Sequence, residues 1–600
     1  MKYFLIFLCV FFQFSSISQN TDSIFKDLDV FDLQYVSNPQ ISPDGSVIIY
    51  RRMSFDILKD RSIGNLWIVN SDGTNHQKLT SIESVEYGAV WSPSGDRLAF
   101  ISSTDQGPEI FIYWNNSAKY ARISQLDGSP SNLTWSQNGK KLAFTMKVKT
   151  SPSVLVKMPK KPIGAKWAKT ARITDRLYHE ADGKGYIDNG FTHVFLISAE
   201  GSGISQLTSG DFNHLGPLSW SKNNSKIYFT SNRSASWEYE FRNSEIYSVD
   251  INDKKINSLT DRNGPDFSPK ESPNGKYIAY LGFADRVQAY QNTELLLMDS
   301  TGKNKRVLSF NIDSSISSFY WSSDNKGIYC TYDKFGDTKI AYINLEGTDK
   351  DLAKNLGGNS IGRPYGGGSF SVSKNGVIAY TNTSYMHPSE LTVVNGKKTN
   401  QITNLSDELL KNKTLAKVEE VWYKSSFDNR DIQGWVAYPP NYNPEKEYPF
   451  LVENHGGPIS NYGSRFSAEV QLFAAAGYIV FYPNPRGSTS YGEEFANLLH
   501  HNYPAEDYLD VMDGVDFCIK NGIANENMLY VTGGSAGGLM TAWMIGKNNR
   551  FKSAVVVKPV MNWISKTLTA DNYFQYSDTR LDGQPWENFQ EYWDFSPISL

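Results

Sequence analysis

A pattern that returns about every fifty residues constrains this chain more than anything else in it. Each copy is a serine, often followed by proline, then a polar turn with Gly or Asn, then an alternating strand. The aligned serines are Ser42, Ser92, Ser136, Ser221, Ser272, Ser322 and Ser373, in steps of 50, 44, 85, 51, 50 and 51 residues. Trp91, Trp135, Trp220 and Trp321 stand just before four of them. A second strand follows within the repeat, as at 66–69, 109–112, 194–197, 245–249 and 294–298. Units of this length with several strands apiece bury their faces only by stacking on one another, which predicts the blades of a β-propeller. Seven copies predict seven blades. The 85-residue step predicts an insertion at about 147–192 on one rim.

The repeat serines belong to turns, where a hydroxyl bonds nearby backbone, so none is a candidate nucleophile. Two carboxylates in the array stand out. Glu238 and Glu240 flank an aromatic residue between blade strands, and either could face a cavity and meet a substrate cation. In the insertion, His179, Glu180, Asp182, Asp188 and His193 fit no metal-ligand spacing and read as a solvated loop. No metal and no cofactor are expected.

The repeat ends near residue 400, and the character of the chain changes. Strands then alternate with helices, which predicts a mainly parallel α/β sheet. Its first landmark is an apolar strand running into His455-Gly456-Gly457-Pro458. Its second is the loop Asn484-Pro485-Arg486-Gly487-Ser488. Its third is a β-rich run, 528–532, followed by Gly533-Gly534-Ser535-Ala536-Gly537-Gly538 and a helix start. Gly-x-Ser-x-Gly between strand and helix is a nucleophile elbow, in which small residues two before and two after the serine let strand and helix approach. The pattern alone is weak in a chain with 46 glycines; its placement makes it specific. The helix start aims free N–H groups at the site. An oxyanion hole needs one N–H from a glycine after the earlier strand and one from the residue after the nucleophile. These are Gly457 and Ala536. His455 precedes the serine, whereas the base of this fold follows it, so its ring is read as a brace for the glycine loop.

Composition limits the partners. Net charge is −4 with no long basic run, which argues against nucleic acid. Residues 1–18 read as a signal peptide: Lys2, the apolar run 3–12, and a small-x-small site at Ser16-Ile17-Ser18. The apolar run is near half of the ~20 residues a spanning helix needs, and no later stretch is long enough. The expectation is an exported protein, periplasmic or secreted, without stable membrane insertion; whether it forms a homo-oligomer stays open. Cys330 and Cys518 are expected as buried free thiols.

Propeller, His-Gly-Gly-Pro, Asn-Pro-Arg-Gly-Ser-Thr-x-Tyr-Gly and Gly-Gly-Ser-x-Gly-Gly together resemble the prolyl oligopeptidase family of serine peptidases (S9), in its acylaminoacyl-peptidase and dipeptidyl-peptidase-like branch. The resemblance runs from Ser42 to Leu600. It implies a seven-bladed propeller over 19–410 and an α/β-hydrolase domain over 411–600, with short peptides cleaved in the cavity between them. Many relatives carry Tyr where this chain has Ala536; a backbone donor survives that change, but the pocket lining differs.

One element of the resemblance is missing. The fold places Ser, then Asp, then His in chain order, and none of the eight histidines follows Ser535. Asp571, Asp578, Asp582 and Asp594 come before the place of the family's acid, and none is nominated. The hydrolase domain is therefore expected to be incomplete at its C-terminal end in this sequence, with the triad Asp and His beyond Leu600 and little turnover from these residues alone. The alternatives are a catalytically dead homologue that binds peptides, and a lipase or esterase, against which the propeller lid argues. Reading the coding sequence past Leu600 tests this: an Asp followed by a His is expected, and an immediate stop codon favours the dead homologue.

Overall fold

Each copy of the repeat builds one four-stranded antiparallel sheet. The computed structural model describes residues 23–600 except 83, 152–155, 157–158 and 170. The expected signal peptide lies outside the described residues. Seven sheets follow in chain order, over 35–78, 86–122, 130–206, 215–258, 266–307, 316–353 and 370–401. First strands of successive blades touch from blade 1 to blade 5, and that of blade 7 touches that of blade 1, so these strands ring the axis. In blades 1 to 6 the pairing of the first two strands slips by a bulge, as between Ser37 and Gln40. A bulge adds local twist, which tilts each sheet around the ring.

The repeated residues have visible tasks. Ser42 N–H donates to the Val47 carbonyl, its Oγ accepts from Val47 N–H, and its hydroxyl donates to Asp44. Ser272 does the same with Tyr277 and Asn274. The hydroxyl thus closes the turn between the first two strands. The tryptophans join blades: the indole N–H of Trp91, Trp135, Trp220 and Trp321 donates to a carbonyl in the preceding blade, that of Gln40, Val90, Thr134 and Lys270. Among the described residues, no strand crosses from one end of the ring to the other. Blade 1 meets blade 7 through Ile41 N–H to Ser371 Oγ, the Ser389 hydroxyl to the Val36 carbonyl, and a shared core of Val36, Ile48, Tyr50, Ala379 and Leu391.

The insertion leaves blade 3 between its second strand, Lys141–Lys149, and its third, Gly190–Ser198, and so is slightly shorter than the sequence suggested. It does more than decorate a rim. Its hairpin, Glu180–Ala181 with Gly185–Tyr186, reaches the other half of the molecule, where Asp182 N–H donates to Asp571.

The second half is one six-stranded sheet: β1 (Lys417–Lys424), β2 (Asp431–Tyr438), β3 (Phe450–Asn454), β4 (Ile479–Asn484), β5 (Leu529–Gly534) and β6 (Ser553–Val557). Their order is β1-β2-β4-β3-β5-β6, antiparallel across β1, β2 and β4 and parallel from β4 to β6. Helices α1 (Ala468–Ala475), α2 (Asp507–Lys520) and α3 (Ala536–Lys547) pack against it. Phe450, Val452, Phe481 and Val531 face Val511, Val515 and Met544 in the core. Cys330 and Cys518 are both buried and unpaired. Among the described residues no helix is long and apolar enough to cross a membrane.

Trp135 tests the inter-blade staple. Trp135→Phe leaves the Val90 carbonyl without its donor and should cost about 1–3 kcal/mol; urea unfolding followed by tryptophan fluorescence reads it, and an unchanged midpoint contradicts it.

Candidate active site

The end of β5 and the start of α3 meet at Ser535, whose backbone sits at φ 60° and ψ −117°. A residue with a Cβ rarely adopts this region, at a cost of about 1–3 kcal/mol, and does so where the surroundings hold it. Close packing holds it here. A Cβ on Gly533 would collide with the Gly537 carbonyl, one on Gly537 with the Asn454 carbonyl, and one on Gly538 with the Val557 carbonyl. The glycines two before and two after Ser535 are thus where strand and helix touch. Ser535 N–H donates to the Val557 carbonyl at 3.0 Å, tying the bend to β6. Its neighbours are buried, yet Ser535 itself is exposed.

It is exposed into a cavity of about 1130 Å³ between the two halves. The sheet side contributes Gly457, Pro458, Tyr503, Ala536, Leu539 and Trp563; the propeller side contributes Phe241, Arg242, Phe283 and Tyr290; Asp182 of the insertion closes part of the rim. A Cβ built on Gly456 would lie 3.4 Å from the Ser535 Cβ, so the His-Gly-Gly-Pro loop passes directly beside the serine. Among the described residues, neither the Gly457 nor the Ala536 N–H has an acceptor.

The loop is braced from three sides. His455 places Nδ1 2.9 Å from the Gly456 carbonyl oxygen and Nε2 3.0 Å from Ser488 Oγ. Burial pushes this histidine down to about 4, so it stays neutral at neutral pH. Ser488 belongs to the Asn-Pro-Arg-Gly loop, which Arg486 fixes by a two-pronged pair with Asp510 of α2, both at 2.8 Å. The third brace comes from the propeller. Between blades 6 and 7, Tyr365 Oη accepts from Gly456 N–H at 2.8 Å. Arg363 meets Glu469 of α1 at 2.7 and 2.9 Å and approaches Glu453 of β3 at 3.5 Å. Burial pushes the Glu453 carboxyl up to about 7, and Tyr462 donates to it at 3.0 Å. The motifs of the sheet domain carried no sign of Arg363 or Tyr365, which arrive from another fold some ninety residues upstream of Gly456.

The two glutamates singled out in the sequence sit elsewhere. Glu238 and Glu240 line a neighbouring cavity of about 500 Å³, which shares Phe241, Arg242 and Gln575 with the larger one. Glu238 pairs with Arg176 at 3.3 Å. Glu240 is held by Ser234, Ser236 and Asn243, and these bonds lower its carboxyl. Among the described residues no histidine lines either cavity, and no cluster of three or more potential ligands could hold a metal.

A propeller set against an α/β sheet, with a serine elbow in the hollow between them, defines a propeller-capped serine hydrolase. Comparison with known proteins makes this specific. The family model "Prolyl oligopeptidase family" matches residues 464–600, and "Dipeptidyl peptidase IV (DPP IV) N-terminal region" matches 165–282. Its C-terminal region, 464–600, is thus that of the prolyl oligopeptidase family of serine peptidases, S9, and 165–282 is similar to the N-terminal region of its dipeptidyl-peptidase members. It is 27% identical over 596 residues to the uncharacterized peptidase YuxL of Bacillus subtilis, covering 95% of this chain and 87% of that one. It is 25% identical over 576 residues to dipeptidyl-peptidase 5 of Porphyromonas gingivalis, covering 92% and 81%. The fold matches that of Pyrococcus horikoshii acylaminoacyl peptidase with a TM-score of 0.79 at 18% identity, over 96% of this chain and 85% of that one.

The packing at the bend gives a paired test. Gly537→Ala forces the Asn454 carbonyl away and should cost about 3 kcal/mol. Gly362→Ala, at a site with open space, should stay within about 0.5 kcal/mol. Thermal unfolding of both reads the difference, and equal melting temperatures contradict the account.

Proposed function

We propose that this S9 peptidase is exported and cleaves short peptides with Ser535 as its nucleophile. One observation carries the reading: Ser535, on a strained bend, shares the inter-domain cavity with the backbone of Gly457 and Ala536, whose two N–H groups have no acceptor among the described residues. In the proposed reaction Ser535 Oγ adds to the scissile carbonyl carbon. The carbonyl electron pair moves onto oxygen, where the Gly457 and Ala536 amides stabilise it. Collapse expels the amine with a proton and leaves an acyl ester, which water then hydrolyses. A histidine that takes the serine proton and an aspartate that orients it complete the chemistry. A cavity set between the sheet domain and the propeller favours oligopeptides over folded proteins, consistent with an oligopeptidase, dipeptidyl-peptidase or acylaminoacyl-peptidase activity. In the neighbouring cavity a substrate amine would meet either glutamate beside partners it already has, the Arg176 cation for Glu238 and three neutral hydrogen-bond donors for Glu240.

A second reading, a peptide-binding protein without turnover, draws on the described residues, among which no histidine lines the cavity. The protein expressed from its whole reading frame separates the two. Peptide-amide hydrolysis that falls about 10⁴-fold or more in Ser535→Ala is the expected result. Binding without hydrolysis in both proteins supports the second reading, and faster cleavage of acyl esters than of amides points to an esterase.

Tyr365 lies outside the cavity lining and acts through Gly456. Tyr365→Phe should lower kcat about tenfold while KM stays within about twofold, because the oxyanion loop loosens without loss of a substrate contact. Steady-state kinetics on one peptide amide checks this, and a change confined to KM contradicts it.

A further inference from the structure

The wall of the larger cavity carries charge that the peptidase reading leaves unused. Four cations line it, Arg242, Lys558, Lys566 and Arg580, against one carboxylate, Asp182. Two of the four are engaged. Arg242 pairs with Asp285 at 3.2 Å and donates to the Gln288 carbonyl, and Lys566 lies over the Tyr576 ring at 5.2 Å. Lys558 is exposed.

Arg580 is different. Its Nη1 is shut off from solvent without a hydrogen-bond partner, and among the described residues its guanidinium has neither an acceptor nor an ion pair. The charged and polar groups that act on it are the phenols of Tyr503 and Tyr576 and a second cation, Arg242, with no carboxylate among them. Burial, and after it the Arg242 charge, lowers its proton affinity, yet a guanidinium stays charged at any physiological pH. A buried charge left alone is costly, and a side chain able to make five hydrogen bonds is unusual without any. Nor is Arg580 remote from the serine. Tyr503, its neighbour, donates to the Ala536 carbonyl at 3.3 Å, and Leu581 joins Tyr503, Ala536 and Leu539 in one core cluster.

The geometry points to Arg580 as a carboxylate-binding residue of the substrate cavity, so that the peptides taken carry either a free C-terminal carboxylate or an acidic side chain near the scissile bond. This rests on the assignment of the cavity to peptides. With Nη1 shut off from solvent, the Nε–Nη2 edge of this cavity-lining guanidinium offers the two parallel N–H groups that match a carboxylate, and Arg242 beside it adds to the field while its own N–H groups hold Asp285 and Gln288.

Binding tests this without requiring turnover. In the Ser535→Ala variant of the protein from its whole reading frame, calorimetry compares the tripeptide Ala-Ala-Phe as free acid and as amide. A second pair compares blocked peptides with Glu or Gln as the central residue. One of the two carboxylates should bind at least about tenfold tighter than its neutral counterpart, and which one does identifies the source. Arg580→Gln should erase that preference, and Arg580→Lys should keep part of it. Without peptide, Arg580→Gln should melt no lower than its parent, because it removes an unpaired charge. Equal binding within both pairs, a preference that survives Arg580→Gln, or a clear loss of stability in Arg580→Gln overturns the assignment. A carboxylate preference in a protein that hydrolyses nothing overturns the peptidase proposal and leaves this one standing.

Discussion

The bend at Ser535 is held against its own conformational preference, and much of the sheet domain can be understood as what holds it. A serine at positive φ relaxes unless its neighbours leave it no room. Here the room is removed by contact between main chains: Gly533 against Gly537, Gly537 against Asn454, Gly538 against Val557. Strands β3, β5 and β6 are adjacent and parallel, so all three contribute backbone to the same few cubic ångströms. The strain is distributed into a sheet whose core is fully buried, and the hydroxyl is left as the exposed group.

The propeller takes part in this arrangement instead of merely covering it. Arg465, buried in the sheet domain, donates to the Gly336 and Leu356 carbonyls and to Thr338 Oγ1 in and around blade 6. Arg363 and Tyr365 reach the other way, to Glu469 and Gly456. These interlocked contacts set the distance between the blades and the His-Gly-Gly-Pro loop. They also cross the boundary between folds at charged and hydrogen-bonded groups, where loss of one partner strands the other in a dry place. The cavity is therefore a product of both folds, with one wall from the sheet domain and one from the propeller.

What the sequence disclosed follows from range. The blade count was legible because each Ser-turn-strand unit is closed by bonds within six residues, as Ser42 to Val47 shows. The elbow was legible because the glycines that make it, Gly533 to Gly538, are contiguous in sequence, although two of the carbonyls they pack against, those of Asn454 and Val557, are not. The inter-blade tryptophans were visible as a pattern, but their acceptors, such as Val90 for Trp135, lie about 45 residues away. Arg363, Tyr365 and Arg580 were not legible at all. Nothing local distinguishes an arginine that will face Glu469 across a domain boundary from one in solvent, and Arg580 is notable only for partners it lacks. The acids Glu238 and Glu240 were found by their spacing, yet spacing did not reveal that a wall would set them in the adjoining cavity, nor that three hydrogen bonds would occupy one of them.

The account stands on the identity of the reacting oxygen. A fluorophosphonate probe added to the protein from its whole reading frame, followed by proteolysis and mass spectrometry, locates it directly. The adduct should appear on the peptide containing Ser535, at one equivalent per chain, and disappear when the protein is unfolded first. An adduct on any other serine of the native protein, or none on Ser535 while peptide amides are being cleaved, contradicts the central claim.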